Sequence, residues 1–267
     1  MKTAPSLAST LFRRPRGHGL QLIQKREPGG ARELTTHRLV LELGQTATFS
    51  TPDEETVVVL HRGSGRFICD AQSWHVSRTD VFSERAAALL LPPGHSLVIA
   101  ATTALEAILV STPAEPGGEP ILRTASDIPV QHRGKPGYER DVHELFVDDP
   151  FAKRIVVGET FNAPGNWSSY PPHKHDGRDG EPVFEEIYYY RLNPSAGFGL
   201  QALYTRDGEQ ATHQVHDGDL VLLPYGYHPV SAPPGHTLYY LWAIVGETRK
   251  LSIYEDPEYS WVHGIQS

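Results

Sequence analysis

The sequence predicts an all-β protein built from two barrels in tandem, and three observations lead there. Short β-branched or aromatic runs recur along the chain, among them TVVVL (56–60), SLVIAA (96–101), RIVVGETF (154–161), EIYYYRL (186–192) and LYYLWAIV (238–245). These runs are punctuated by 24 Gly and 22 Pro residues, the pattern of short strands separated by turns. With 267 residues the chain also exceeds the usual size of one domain.

The halves echo each other. EETVVVLHRGSGRF (54–67) lies without gaps on EEIYYYRLNPSAGF (185–198) at an offset of 131 residues, which sets Glu55 against Glu186. Farther on, DVFSERAAALLLPPGHSLV (80–98) parallels GDLVLLPYGYHPV (218–230). Matching Pro92 and Gly94 to Pro224 and Gly226 sets Ser96 opposite His228, with His95 one place early. Such a repeat reads as a duplicated barrel. The Pro- and Gly-rich stretch 112–137 is the expected connection, dividing the chain into a first unit of residues 1–120 and a second of 121–267. The one stretch of helix expected is near 137–147, where YERDVHELF is briefly amphipathic.

Composition narrows the function classes. Hydrophobic residues make up 39% and charged residues 21%, which argues for a packed globular chain and against disorder. The formal net charge of −8 and the lack of a basic, aromatic-interleaved patch argue against nucleic acid as a partner. A single cysteine, Cys69, allows no intramolecular disulfide and fits a reducing cytoplasm. No run approaches the ~20 apolar residues that cross a bilayer, and the N-terminus lacks a secretory apolar core. A cytoplasmic protein with no membrane partner is expected.

Chemistry concentrates in PPHKHDGRDGEPVFEEIYYYR (171–191). His173 and His175 are one residue apart, so on extended chain their imidazoles share a face. A strand carrying Glu185 and Glu186 follows, and His228 comes later, just past a Pro/Gly turn. Three imidazoles and one carboxylate suit a divalent first-row transition metal. Most of the 14 histidines have no such company; His18, His37, His132, His236 and His263 read as surface or hydrogen-bonded residues.

This arrangement resembles that of the cupins, which carry an HxH pair and a Glu in one motif and a glycine-flanked His in a second. The segment between His175 and the Glu is longer than the cupin pattern, which suggests a loop inserted over the barrel mouth. GNWSSYPPHKHD (165–176), EEIYYYR (185–191), GFGLQALYT (197–205), DGDLVLLPYGYHPVSAPPG (217–235), YYLW (239–242) and DPEYSW (256–261) resemble the 5-deoxy-glucuronate isomerase family of inositol catabolism. That resemblance implies two tandem cupin-type (jelly-roll) β-barrels, a sugar-acid substrate, a homo-oligomer (dimer or higher) and a metal held by His173, His175, Glu186 and His228. The resemblance prefers Glu186 to Glu185, because the related uronate ketol-isomerases place their Glu directly before an apolar-aromatic run, as Glu186 is here; Glu185 is then expected to face a surface or loop. Zinc is the first expectation for the metal, with manganese, iron or nickel as alternatives.

An aldose–ketose isomerase moves one hydrogen between adjacent carbons, so a base is needed. Asp176, beside the ligand pair, and Tyr190, which shares parity with Glu186, are the candidates. Arg178 or Arg140 is expected to meet the substrate carboxylate. Asn166, Trp167 and Ser168 are read as structural supports. Trp242 replaces the expected Asn of YYLN, a change that alters pocket shape or oligomer contacts without touching the metal. The first barrel is expected to bind no metal, since it keeps a Glu (Glu55) but has no HxH pair in ELGQTATFSTPD (42–53). Two rivals use the same fold: a cupin dioxygenase with the same ligands, and a non-catalytic sugar-binding cupin.

Overall fold

A computed structural model describes residues 4–13, 15 and 17–264. Its regular structure is almost entirely β, with two short 3-10 turns at Leu7–Ser9 and Pro257–Gly264. The sheets curl into two tandem cupin-type barrels. In the first, the strand Glu54–Cys69 pairs with Leu105–Pro113 and Ala88–Leu91 along its early residues. Past a register shift between Leu60 and Arg62 it turns to pair with Gln72–Arg78 and His95–Ala101. In the second, Phe184–Asn193 lies between Leu220–Leu223 and Thr237–Gly246. A four-stranded sheet containing Gly199–Tyr204 and Val230–Ser231 completes that barrel.

The apolar runs are continuous because their strands are buried on both faces. In Phe184–Asn193, Tyr188, Tyr190 and Leu192 pack inside the second barrel with Val221, Leu223 and Tyr240. The alternate residues Ile187 and Tyr189 pack with Leu220, Leu222 and Leu241 against Val57, Val59, Leu90 and Ile108 of the first half. Val58, Leu60, Leu89 and Leu91 then fill the first barrel. A period of two thus allots each strand one barrel interior and one shared interface. Within that interface Arg78 grips Glu159 through both guanidinium nitrogens (2.7 and 3.0 Å), and Tyr239 donates to the same carboxylate (2.8 Å). Buried charges of this kind persist only when paired and hydrogen-bonded.

The junction 112–137 carries strands of its own. Ile121–Arg123 joins Ala88–Leu91 in the first sheet, and Val130–Arg133 joins Arg140–Phe146 in the second. The chain start crosses over: Leu11–Phe12 pairs with Leu220–Val221, and Leu7 sits in the second core. The helix expected near 137–147 is instead the strand Arg140–Phe146. Its pairing with Val156–Asn162 supplies every residue of YERDVHELF from Arg140 onward with a long-range partner except Leu145, at a bulge. Tertiary pairing overrides so weak a local preference.

The repeat is also one residue out of the expected alignment. Glu186 lies opposite Leu223, which precedes Pro224, whereas the residue opposite Leu91, which precedes Pro92, is Thr56. Thr56, not Glu55, is therefore the counterpart of Glu186, at an offset of 130 residues. Its hydroxyl meets Ser111 Oγ at 2.8 Å. The first barrel has lost the carboxylate as well as the imidazole pair.

Candidate metal centre

His173 and His175 flank Lys174 on a two-residue strand, His173–Lys174, which pairs with Tyr254–Glu255 of the C-terminal segment. Asp256 fixes that segment: its backbone N–H donates to Pro172 O (2.8 Å), and its carboxylate accepts from Tyr204 (2.7 Å). The DPEYSW tail thus braces the ligand strand. The GNWSSYPP segment that leads into it is itself tied down. Asn166 donates to Glu139 O (3.1 Å), and Asn162 donates to Ser168 Oγ (2.7 Å).

Glu186 reaches the same spot from the strand Phe184–Asn193, and His228 from the turn before Val230–Ser231. Glu186 Oε2 lies 3.0 Å from His175 Nε2 and 3.5 Å from His228 Nε2. The His173 and His175 rings stand 4.8 and 5.0 Å from that of His228. Donor atoms of His175, Glu186 and His228 all fall within 4.8 Å of one another; His173 closes the group through its ring contact with His228. Glu185 points to the opposite face. It is not surface-exposed but 1% accessible, accepting the backbone N–H groups of Arg32, Glu33 and Leu34 (2.7, 2.9 and 3.0 Å).

The electrostatics favour a cation. Burial, then the charges of His175 and Arg140, push the His173 imidazole down to about 3. Burial likewise holds His228 well below the ordinary imidazole range. Burial raises Glu186, while at His175 the hydrogen bond and charge of Glu186 outweigh burial and move it up. Binding a metal there would require the neutral imidazole and the ionised carboxylate.

His228 tests the fit directly. Its Nδ1 donates to Gly226 O (3.0 Å), so Nε2 keeps its lone pair; buried and without a hydrogen-bond partner, that nitrogen is aimed at a carboxylate oxygen. A bare lone pair facing an acceptor is costly unless something positive lies between. The donor set of imidazoles and one carboxylate, with Nδ1 of His228 oriented by a backbone carbonyl, is that of a transition-metal site.

His173, His175 and Glu186 open into a cavity of about 500 Å3, which Arg140, Tyr188, Tyr240 and Trp242 also line. Tyr188 Oη and Ser169 Oγ are 2.8 Å apart, and the Tyr188 ring stacks on Tyr240 at 4.3 Å. Trp242 fits because Gly158 lies opposite on the neighbouring strand; a Cβ there would come within 2.3 Å of the indole. Arg140 donates to Tyr138 O (3.1 Å), and its guanidinium makes no ion pair among the described residues. Arg133, which also lines the cavity, is paired with Glu144 (2.7 Å).

Three residues singled out in the sequence lie elsewhere. Tyr190 is fully buried and donates to Gln201 Oε1. Asp176 binds Lys174 Nζ (2.7 Å) and the Gly226 N–H (3.1 Å), facing away from the cavity. Arg178 is half exposed, over the Tyr225 ring. The sequence signal for Tyr188 was its parity with Glu186, two residues before Tyr190. Arg140 carried no local signal beyond its charge. In the first half, His95 is paired with Asp70 (2.7 Å), and Cys69 is close enough to complete a donor group with them, although its side chain packs in the apolar core.

Two tandem cupin barrels, one of them furnished with the three-His, one-Glu set, make this a bicupin. The chain belongs to the KduI/IolB family, whose profile matches residues 11–262. It is 37% identical over 229 residues to the 5-deoxy-glucuronate isomerase of Geobacillus kaustophilus, covering 84% of this chain and 83% of that protein. It is 32% identical over 270 residues to the enzyme of the same name from Bacillus subtilis strain 168, covering 95% and 98%. An IolB-like protein of Salmonella typhimurium LT2 superposes with a TM-score of 0.89 at 29% identity, covering 96% of this chain and all of that one. A variant of Bacillus subtilis oxalate decarboxylase superposes with a TM-score of 0.65 at 14% identity, a likeness of fold, covering 95% of this chain and 81% of that one. No helix among the described residues is long and apolar enough to cross a membrane.

Proposed function

We propose that this protein is a metal-dependent aldose–ketose isomerase converting 5-deoxy-D-glucuronate to 5-dehydro-2-deoxy-D-gluconate. The observation that carries this reading is the buried, unpartnered His228 Nε2 converging with His175 and Glu186, beside a cavity lined also by Arg140, which makes no ion pair among the described residues. Relatives bearing that enzyme name match at 32–37% identity over most of the chain.

His173, His175, Glu186 and His228 would hold the metal, zinc by first preference. A divalent cation supplies Lewis acidity at the sugar carbonyl and needs no redox partner. Arg140 binds the substrate carboxylate through a charge-assisted pair in a partly desolvated wall. Burial, then the charge of Glu186, holds the Tyr188 phenol well above its ordinary range. Tyr188 Oη therefore keeps its proton and serves as a hydrogen-bond partner for a sugar hydroxyl rather than as a base.

The test is an NMR assay of purified protein with 5-deoxy-glucuronate before and after chelation. Conversion without nucleotide, abolished by chelator and restored by metal, supports the reading. Stoichiometric consumption of oxygen or NADH, or metal bound with no turnover, overturns it.

A further inference from the structure

The loop between His175 and Glu186 is longer than a metal site needs, and it is not an open flap. Lys174, wedged between the two histidines and only 5% accessible in its side chain, turns away from the cavity and inserts its ammonium among three carboxylates. Asp176 Oδ1 is 2.7 Å away and Asp179 Oδ2 2.9 Å, and Glu181 completes the shell. Glu181 also accepts the backbone N–H groups of Asp176 (3.2 Å), Gly177 (3.1 Å) and Asp179 (3.1 Å), so one buried carboxylate folds the loop onto itself. The Tyr254 ring closes the far side, 5.1 Å from the ammonium.

Asp176 extends this knot to the other ligand segment. Its second oxygen, Oδ2, accepts the Gly226 N–H at 3.1 Å. The Gly226 carbonyl accepts from His228 Nδ1 at 3.0 Å. An unbroken chain of contacts thus runs Lys174–Asp176–Gly226–His228, joining the HxH strand to the turn that carries the third imidazole. Gly226 sits at φ +81°, in the left-handed region, and a Cβ there would approach Tyr204 O to 2.7 Å. Glycine is therefore the residue that fits this turn, and Asp176 anchors its N–H.

We propose that Asp176 is a positioning residue: with Lys174 it sets the separation and orientation of the HxH pair and His228 from behind, without touching substrate. This rests on the metal-site reading above. Supporting groups of this kind raise metal affinity by fixing the ligand ring and its tautomer, typically by ~10–100-fold.

Three variants test it: Asp176→Ala, which loses both contacts; Asp176→Asn, which keeps an acceptor for the Gly226 N–H but not the charge for Lys174; and Lys174→Met. Affinity for Co2+ is measured by chelator competition, the bound ion's visible spectrum is recorded, and amide exchange across 224–228 is followed by mass spectrometry in metal-free protein. The expectation is an affinity loss of ~10–100-fold for Asp176→Ala, a shifted cobalt spectrum and faster exchange at the His228 turn. Asp176→Asn should lose less affinity than Asp176→Ala. On metal-saturated enzyme kcat should fall only several-fold. If Asp176→Ala retains wild-type affinity, cobalt spectrum and exchange, the proposal fails; a collapse of kcat in that same background would make Asp176 the base instead. Should Asp176→Ala not fold, Asp176→Asn and Lys174→Met carry the same readouts. Exchange in the metal-free protein does not depend on isomerase activity, so an inactive wild-type enzyme would overturn the function while leaving the positioning role open to judgement.

Discussion

Glu55 and Glu185 do the same work in opposite directions. Glu185, in the second barrel, accepts the backbone N–H groups of residues 32–34 of the first half. Glu55, in the first barrel, accepts those of Lys153, Arg154 and Ile155 of the second (2.6, 3.3 and 2.9 Å). Arg154 and Glu33 then pair with each other at 3.1 Å, so the two clasps touch. Each half hands the other a buried carboxylate.

Glu185→Ala therefore leaves three backbone amides, that of Leu34 buried, without this acceptor. It should lower unfolding free energy by roughly 3 kcal/mol in urea titration while metal content stays at the wild-type level. Glu186→Ala should do the reverse, losing metal and turnover with the metal-free fold unweakened. Swapped phenotypes would mean that the strand Phe184–Asn193 is one residue out of register.

Replacing His173, His175 or His228 by Ala should abolish turnover and weaken metal retention by more than the ~10–100-fold expected for a supporting group, with circular dichroism unchanged. Elemental analysis of wild-type protein should give one equivalent per chain, because the counterpart of Glu186 in the first half is Thr56. A second equivalent that survives His175→Ala but not His95→Ala would place a separate site at Cys69, Asp70 and His95.

Arg140→Met should raise KM for the sugar acid about 10- to 100-fold, the worth of one charged hydrogen-bonded pair, and leave metal affinity unaltered. Arg178→Met should change KM by no more than about twofold. A large effect at Arg178 with none at Arg140 would assign the carboxylate to the outer loop.

At Glu159, burial opposes ionisation, but Arg78 and its hydrogen bonds prevail and hold the carboxyl down to about 2. A carboxylate whose folded pKa lies below its unfolded value of ~4.3 stabilises fully above that value and loses its contribution as pH falls toward 2. Glu159→Gln should accordingly be less stable than wild type at pH 7. Its stability should also fall less steeply between about pH 4 and 2. Parallel stability–pH curves for the two proteins would contradict this linkage.

Much of the site was legible because its signals are local. HxH on extended chain, a strand-borne Glu and a turn-borne His announce themselves by spacing, and the apolar runs mark strands buried on both faces. The EE dyad is different. Both halves begin the strand with two glutamates, and a gap-free alignment pairs Glu55 with Glu186, whereas the strand register pairs Thr56 with it. Arg140 and Arg178 posed the same difficulty: Arg178 is nearer to the ligands in sequence, while the sheet carries Arg140 to them in space. Asp176 and Tyr190 were placed near the ligands by sequence distance and parity, but neither says how far along a strand the cavity extends. YERDVHELF reads as helix only while its partner strand is unknown.

The division of labour along Phe184–Asn193 has a bearing on how such a protein changes over time. Odd-numbered positions from Glu185 to Tyr189 answer to the neighbouring barrel, even-numbered ones from Glu186 to Tyr190 to the interior of their own barrel. The barrel without ligands is thus a mould against which the working sheet is cast, free to forget its chemistry but not its shape. Drift in Val57, Val59 or Ile108 reaches Glu186 through the thickness of one β-sheet, and separating the halves at their junction would leave each with a raw apolar face.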